Sequence, residues 1–133
     1  MRPTLILFLA PMLLAPLAHA SECSDAPDQA ALSQCASLEY KTADKELNSL
    51  YQQINQGLKN QAQTKQRLVG AQRAWVAFRD AECGYATSGV EGGSLYPLAY
   101  SQCMTALTKA RVENFKNYLK CEEGDLSCPV LGR

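Results

Sequence analysis

Residues 43–58 have the sequence ADKELNSLYQQINQGL, in which an apolar side chain recurs every three or four residues. This spacing is typical of an amphipathic α-helix, because residues three and four apart lie on the same helix face. The same period extends back to Leu32, and Pro27 and Asp28 suit the first turn of a helix. The pattern therefore predicts a first helix from Asp28 to about Gly57.

Two further stretches carry the helical period. A second helix is predicted from about Thr64 to Thr87, with the large apolar side chains of Trp75 and Phe78 at the centre of the core. Gly70 lies inside this helix, and a closely packed neighbouring helix is one reason for a glycine at such a position. A third helix is predicted from about Pro97 to Lys120.

The connections between these helices are short. Residues 59–64 are polar without an apolar period and predict a turn or a frayed junction. Residues 88–94, with the sequence SGVEGGS, predict a loop that is the most flexible segment of the mature chain. Strand signals are nearly absent. The fold class expected is all-α, an antiparallel bundle of about three helices.

The N-terminus has the pattern of a secretory signal peptide. Residues 1–20 combine Arg2, a short apolar run broken by prolines, and the small-x-small pattern Ala18-His19-Ala20. Cleavage of the 133-residue chain there leaves a single domain, residues 21–133, of 113 residues. Glu22 precedes Cys23, where a lipoprotein signal has a small residue, so no lipid anchor is expected. The pattern indicates export, with the periplasm favoured and the medium as the alternative.

Charge and composition exclude several classes of protein. The chain has 13 basic and 13 acidic residues, and loss of Arg2 leaves a net charge of −1, which argues against nucleic-acid binding. The one histidine, His19, lies in the signal peptide, so a histidine-dependent catalytic or metal site is excluded. Acidic pairs such as Asp44 and Glu46 are two residues apart and point to different sides of a helix. We expect no enzyme activity, no catalytic residues, no cofactor, no metal and no membrane span.

Six cysteines remain in the mature chain, and this even number in a short exported protein indicates a framework of up to three disulfides. Spacing alone does not choose among the fifteen possible connectivities. Cys83 and Cys103 flank the predicted loop and are expected to meet when the helices pack. The remaining expected pairs are Cys23 with Cys35 and Cys121 with Cys128.

Three strings of residues stand out, one in each predicted helix: Asp44-x-x-Leu47-Asn48-x-x-Tyr51, Gln72-Arg73-Ala74-Trp75-x-x-Phe78-Arg79-Asp80-x-x-Cys83, and Cys103-x-x-x-x-Thr108-x-x-Arg111. In this order, and with the preceding Cys23 and Cys35, they resemble the LprI-like lysozyme-inhibitor family over residues 23–120. The tail, residues 121–133, is an addition to that pattern. The resemblance implies a small, exported, disulfide-bonded helical domain, and some members of the family are inhibitors of lysozyme.

Polar residues of these strings have two interpretations. The first is an internal network in which Arg79 and Arg111 pair with Asp44 or Asp80, because a guanidinium and a carboxylate form strong paired hydrogen bonds. The second is that some of these side chains face a partner. The polar residues of the family pattern are Asp44, Asn48, Gln72, Arg79, Asp80 and Arg111.

The predicted glycine-rich loop is the candidate partner contact. A lysozyme cleft is concave and holds two carboxyl groups, and a protruding loop with hydroxyl donors suits it. A disulfide at the base of the loop reduces the entropy lost on binding. The alternative is that this segment is only a connector. The candidate contact residues are Ser88, Gly89, Val90, Glu91, Ser94 and Tyr96.

The function expected is therefore binding and occlusion of a peptidoglycan-cleaving lysozyme, without catalysis. The alternative is a structural or adaptor module that binds another envelope protein and has no effect on lysozyme. The partner in both cases is a protein, and the sequence leaves the oligomeric state open.

Overall fold

Three long helices make up most of the protein in a computed structural model that describes residues 23–130. They are α1 (Gln29–Gly57), α2 (Ala62–Ala86) and α3 (Tyr96–Lys120), with a short 3-10 turn (Ser88–Val90) between α2 and α3. No strand occurs within residues 23–130. The all-α prediction with three helices is therefore confirmed. The predicted signal peptide lies outside the described residues and stays a prediction.

The helix ends follow from local hydrogen bonding. The Asp28 carboxylate accepts a hydrogen bond from the Ala31 amide at 2.8 Å and caps the start of α1. The Gln61 amide donates to the Leu58 carbonyl at 2.9 Å, so the turn between α1 and α2 is tight. Because glutamine and lysine favour helices, α2 begins at Ala62, slightly before the predicted start.

The hydrophobic core lies mainly between α1 and α3. Gln29 at the start of α1 contacts Ser94 just before α3, and Tyr51 stacks on Phe115 with ring centroids 6.3 Å apart, so the two helices run parallel. Phe115 is completely buried. One contiguous cluster of this core consists of the buried residues Leu47, Ile54, Leu58, Val112, Phe115 and Val130.

The prediction that Trp75 and Phe78 centre the core is wrong. Trp75 is partly buried at the edge of the core, and the side of α2 that carries Phe78 faces solvent, leaving that residue 55% exposed. Only Arg79 and Cys83 are buried on α2. The physical reason is that α1 and α3 fill the core with each other, so α2 lies on its edge.

The interpretation that Gly70 allows a neighbouring helix to pack closely is also wrong. A Cβ atom built at Gly70 meets nothing within 4 Å, so no close helix approach requires a glycine there. A Cβ atom at Gly57, in contrast, would lie 2.9 Å from the Val130 side chain. The close approach in this protein is therefore between the end of α1 and the C-terminal tail.

Three disulfides link neighbouring segments: Cys23 to Cys35, Cys83 to Cys103, and Cys121 to Cys128. Their sequence separations are 12, 20 and 7 residues, so each closes a local loop. These are the three pairs expected from the sequence. Cys121–Cys128 turns the tail back so that Val130 enters the core, which no periodic signal in the tail indicated.

Candidate partner-contact surface

The contact loop, residues 88–96, joins α2 to α3 as a series of turns. Backbone hydrogen bonds run from the Val90 amide to the Thr87 carbonyl at 3.1 Å and from the Gly93 amide to the Val90 carbonyl at 3.0 Å. Gly92 has a φ of 76°, a left-handed conformation that suits glycine. The segment predicted as a flexible loop is thus a hydrogen-bonded structure.

Two long-range links hold the contact loop at its base. Cys83 and Cys103 have Cα atoms 5.6 Å apart across their disulfide. The Gln29 side-chain amide donates a hydrogen bond of 2.7 Å to the Ser94 carbonyl. No local sequence pattern points to Gln29 as part of this site, because it lies 65 positions from Ser94 in the chain.

Most side chains of the contact loop are exposed. Ser88, Glu91 and Ser94 are exposed, and Val90 is half-buried. Leu95, beside them, is 50% exposed, and Tyr85 at the end of α2 is 78% exposed. The loop therefore presents hydroxyl groups together with large apolar side chains.

Tyr96 stands apart from the other predicted contact residues. It is the first residue of α3, and its ring centroid lies 5.7 Å from that of Tyr100. Both tyrosines are half-buried. Tyr96 therefore lies at the α3 end of the contact loop and not at its tip.

The polar residues of the family pattern divide into two groups. In the first group, Arg79 forms ion pairs with Asp44 at 3.3 Å and Asp80 at 2.9 Å. Asn48 donates a hydrogen bond of 3.1 Å to the other oxygen of Asp44. Arg79 is only 6% exposed, so its charge is neutralised where water is largely excluded. This group is an internal link between α1 and α2.

Arg111 does not pair with Asp44 or Asp80, contrary to the expectation. Its Nε donates to the Gln72 side-chain oxygen at 3.2 Å, and its guanidinium carbon lies 4.6 Å from the Phe115 ring centroid. Both carboxylates lie at the level of Arg79, and Arg111 meets α2 at Gln72 instead. The second group is therefore Gln72 and Arg111.

Within residues 23–130, three ionisable groups have pKa values displaced by their surroundings. Burial raises the pKa of Tyr40, partly opposed by the nearby Arg79 charge. Burial lowers the pKa of Arg111, an effect that Tyr118 partly offsets. Hydrogen bonds to Glu113 and Glu46 raise the pKa of Lys116. None of these groups belongs to the contact loop.

The described part of the chain shows no cluster of acidic, cysteine or histidine side chains that could hold a metal ion. Among the same residues, no helix is both long and apolar enough to cross a bilayer. The contact loop presents exposed donors, acceptors and an apolar side chain for non-covalent binding.

The sequence model of the family described as lysozyme inhibitor LprI matches residues 20–115. A protein of Rhizobium meliloti (strain 1021), described only as uncharacterized, is 32% identical over 115 residues, which cover 77% of this chain and 81% of that protein. No solved structure matches the chain significantly.

Proposed function

The chain belongs to the LprI lysozyme-inhibitor family, and we propose that it is an exported, non-catalytic protein that inhibits a peptidoglycan-cleaving lysozyme by occluding its cleft. Membership in this family supports lysozyme inhibition as the class of activity. The observation that carries the proposal is the contact loop, residues 88–96, which is exposed and held at its base by the Cys83–Cys103 disulfide and by Gln29.

The chemistry of the contact loop suits a lysozyme cleft, with the exposed Glu91 carboxylate directed away from the carboxyl groups of that cleft. Ser88 and Ser94 present hydroxyl donors to the two carboxyl groups of such a cleft. Leu95, 50% exposed, supplies an apolar side chain for a sugar-binding subsite. The turns within the loop are already formed, so little conformational entropy is lost on binding.

Residual lysozyme activity on cell-wall substrate tests the proposal, with oxidised protein (residues 21–133) as the titrant. We expect stoichiometric loss of activity. We expect Leu95→Ser to weaken inhibition about tenfold, because truncating a residue that anchors an interface costs more than about 1 kcal/mol. Leu126→Ser is the matched control, because Leu126 is fully exposed in the C-terminal tail. Thermal melting confirms that both variants fold.

Two results would count against the proposal. Unchanged activity of several lysozyme classes at excess protein contradicts the inhibitory function. Equal inhibition by the Leu95→Ser and Leu126→Ser variants contradicts the assignment of the contact loop.

A second candidate function, an adaptor that binds another envelope protein, is favoured by the outer face of α2. Phe78 and Tyr85 are seven residues apart, so they lie on one helix face, and they are 55% and 78% exposed. Exposed aromatic side chains are common anchors of protein interfaces. This candidate predicts unchanged lysozyme activity. It also predicts an envelope partner whose co-purification is lost with Phe78→Ser and kept with Leu126→Ser.

A further inference from the structure

A groove lies at the end of the bundle opposite the contact loop. The C-terminal part of α1, the N-terminal part of α2 and the C-terminal half of α3 form its walls, and Pro129 of the tail borders it. Its volume is about 560 Å³, within the range of small-molecule sites. We call it the Arg111 groove.

Arg111 is a half-buried cation without an acidic partner. Within residues 23–130, no carboxylate oxygen lies within 4.0 Å of its nitrogen atoms. Its contacts are the Gln72 side chain, the Tyr118 hydroxyl, the Phe115 ring and the Trp75 ring, whose centroid lies 5.8 Å from the guanidinium carbon. A neutral amide, a phenol hydroxyl and two aromatic faces offset the burial of a cation less than a carboxylate does.

Arg79 is a buried guanidinium of the same protein whose charge is neutralised by carboxylates. It has two carboxylates within 3.3 Å, and aromatic rings at Tyr40 and Trp75. Arg111 has the aromatic rings without the carboxylates. Burial accordingly lowers the pKa of Arg111. An anion that reached Arg111 would complete the arrangement that Arg79 already has.

The remaining lining of the Arg111 groove is apolar with a few hydrogen-bond donors and no acidic side chain. Arg67 adds a second positive charge at an exposed position, and Tyr118 adds a hydroxyl. The apolar lining residues are Ile54, Leu58, Leu68, Ala71 and Pro129.

We propose that the Arg111 groove binds a small amphipathic carboxylate, with the carboxylate on Arg111 and the apolar chain against Ile54 and Leu58. A guanidinium binds a carboxylate through two parallel hydrogen bonds, and the adjoining apolar wall removes the ligand's chain from water. This site goes beyond the lysozyme proposal, because it lies at the other end of the bundle from residues 88–96.

Titration of the oxidised protein (residues 21–133) with decanoate tests this site. Trp75 is the one tryptophan of the chain and contacts Arg111, so its fluorescence reports binding, with calorimetry as a second measurement. We expect saturable binding of decanoate below its micelle concentration. Decan-1-ol and decyltrimethylammonium, which have no carboxylate, are expected to bind at least about tenfold more weakly, the factor that a charge-assisted hydrogen bond contributes.

Two variants test the assignment to this groove. Arg111→Met keeps an unbranched stem against Phe115 and removes the charge, so decanoate affinity falls about tenfold or more. Arg73→Met is the matched control, because Arg73 is exposed on a different face of α2 and does not line the groove. Ala71→Trp, at an exposed lining position, fills the groove while Arg111 stays, and we expect calorimetry to show weaker binding.

Three outcomes would overturn the proposal. The first is equal binding of decanoate and decan-1-ol, which would mean that the charge has no role. The second is unchanged affinity in folded Arg111→Met or Ala71→Trp protein, which would place the ligand elsewhere. The third is binding of an apolar peptide with a free C-terminus while decanoate does not bind, which would assign the groove to a protein partner.

Discussion

Arg79 and Arg111 are chemically identical side chains that the fold treats differently. Their placement near the core follows from helical spacing, and pairing of Arg79 with Asp44 or Asp80 could be predicted from residue chemistry. The partner of Arg111 could not be predicted. Which side chain of α2 faces Arg111 depends on the rotation and stagger of the helices, and the packing places Gln72 there.

Replacement of Arg79 with methionine tests the first polar group. We expect the free energy of unfolding to fall by about 2 kcal/mol, because the variant loses two ion pairs and two ring contacts. The loss is below that of a fully buried pair, since the side chains of Asp44 and Asp80 are 38% and 50% exposed and regain water.

Asp80→Asn should cost less than about 1 kcal/mol, because the Asp80 side chain is 50% exposed and Arg79 keeps its ion pair with Asp44. Chemical denaturation of both variants gives the comparison. Equal losses for Arg79→Met and Asp80→Asn would mean that Arg79 acts only through Asp80.

At the scale of elements, the extents of the three helices could be read from the sequence and the buried face of α2 could not. Large apolar side chains lie on more than one side of α2, with Trp75 against the core and Phe78 in solvent. Apolar residues that recur with the helical period indicate a helix. They indicate which face is buried only where they are confined to one side of that helix. The contact loop shows a similar limit, because its link to Gln29 is non-local.

Two glycines give a matched test at this scale. Gly70→Ala should stabilise the protein by about 1 kcal/mol, because alanine favours a helix and the new methyl group meets no atom. Gly57→Ala should destabilise it, since the Cβ atom would lie 2.9 Å from the Val130 side chain in the core and the gain in helix propensity is smaller at the last residue of α1.

Thermal or chemical denaturation of the two single variants measures the difference. A stabilisation by Gly57→Ala as large as that by Gly70→Ala would mean that the tail does not pack on α1 as described.

For the whole molecule, two groups with raised pKa values make stability depend on pH in the alkaline range. The pKa of Tyr40 is raised above its ordinary value of 10.0 by burial, and that of Lys116 above 10.5 by hydrogen bonds to Glu113 and Glu46. Both groups hold their protons more tightly in the folded chain than in the unfolded chain. Their contributions to stability are therefore present below these values and are lost as the pH rises through the folded pKa.

We expect the free energy of unfolding to decrease as the pH is raised from 9 to about 11, the range in which unfolded tyrosine and lysine lose their protons. Tyr40→Phe removes one of the two groups and should make this decrease shallower. Urea denaturation at several pH values measures the slope. A slope unchanged by Tyr40→Phe would show that burial of the Tyr40 hydroxyl does not contribute.

The positions of the disulfides also decide what proteolysis does to this protein. A cut between Ser88 and Ser94 leaves α2 and α3 covalently joined through Cys83–Cys103, so the nicked chain remains one molecule. A cut between Leu58 and Gln61 separates α1 from the other two helices, because none of the three disulfides spans that turn. The exposed contact loop is thus the connection between helices that a protease can cleave without releasing a fragment.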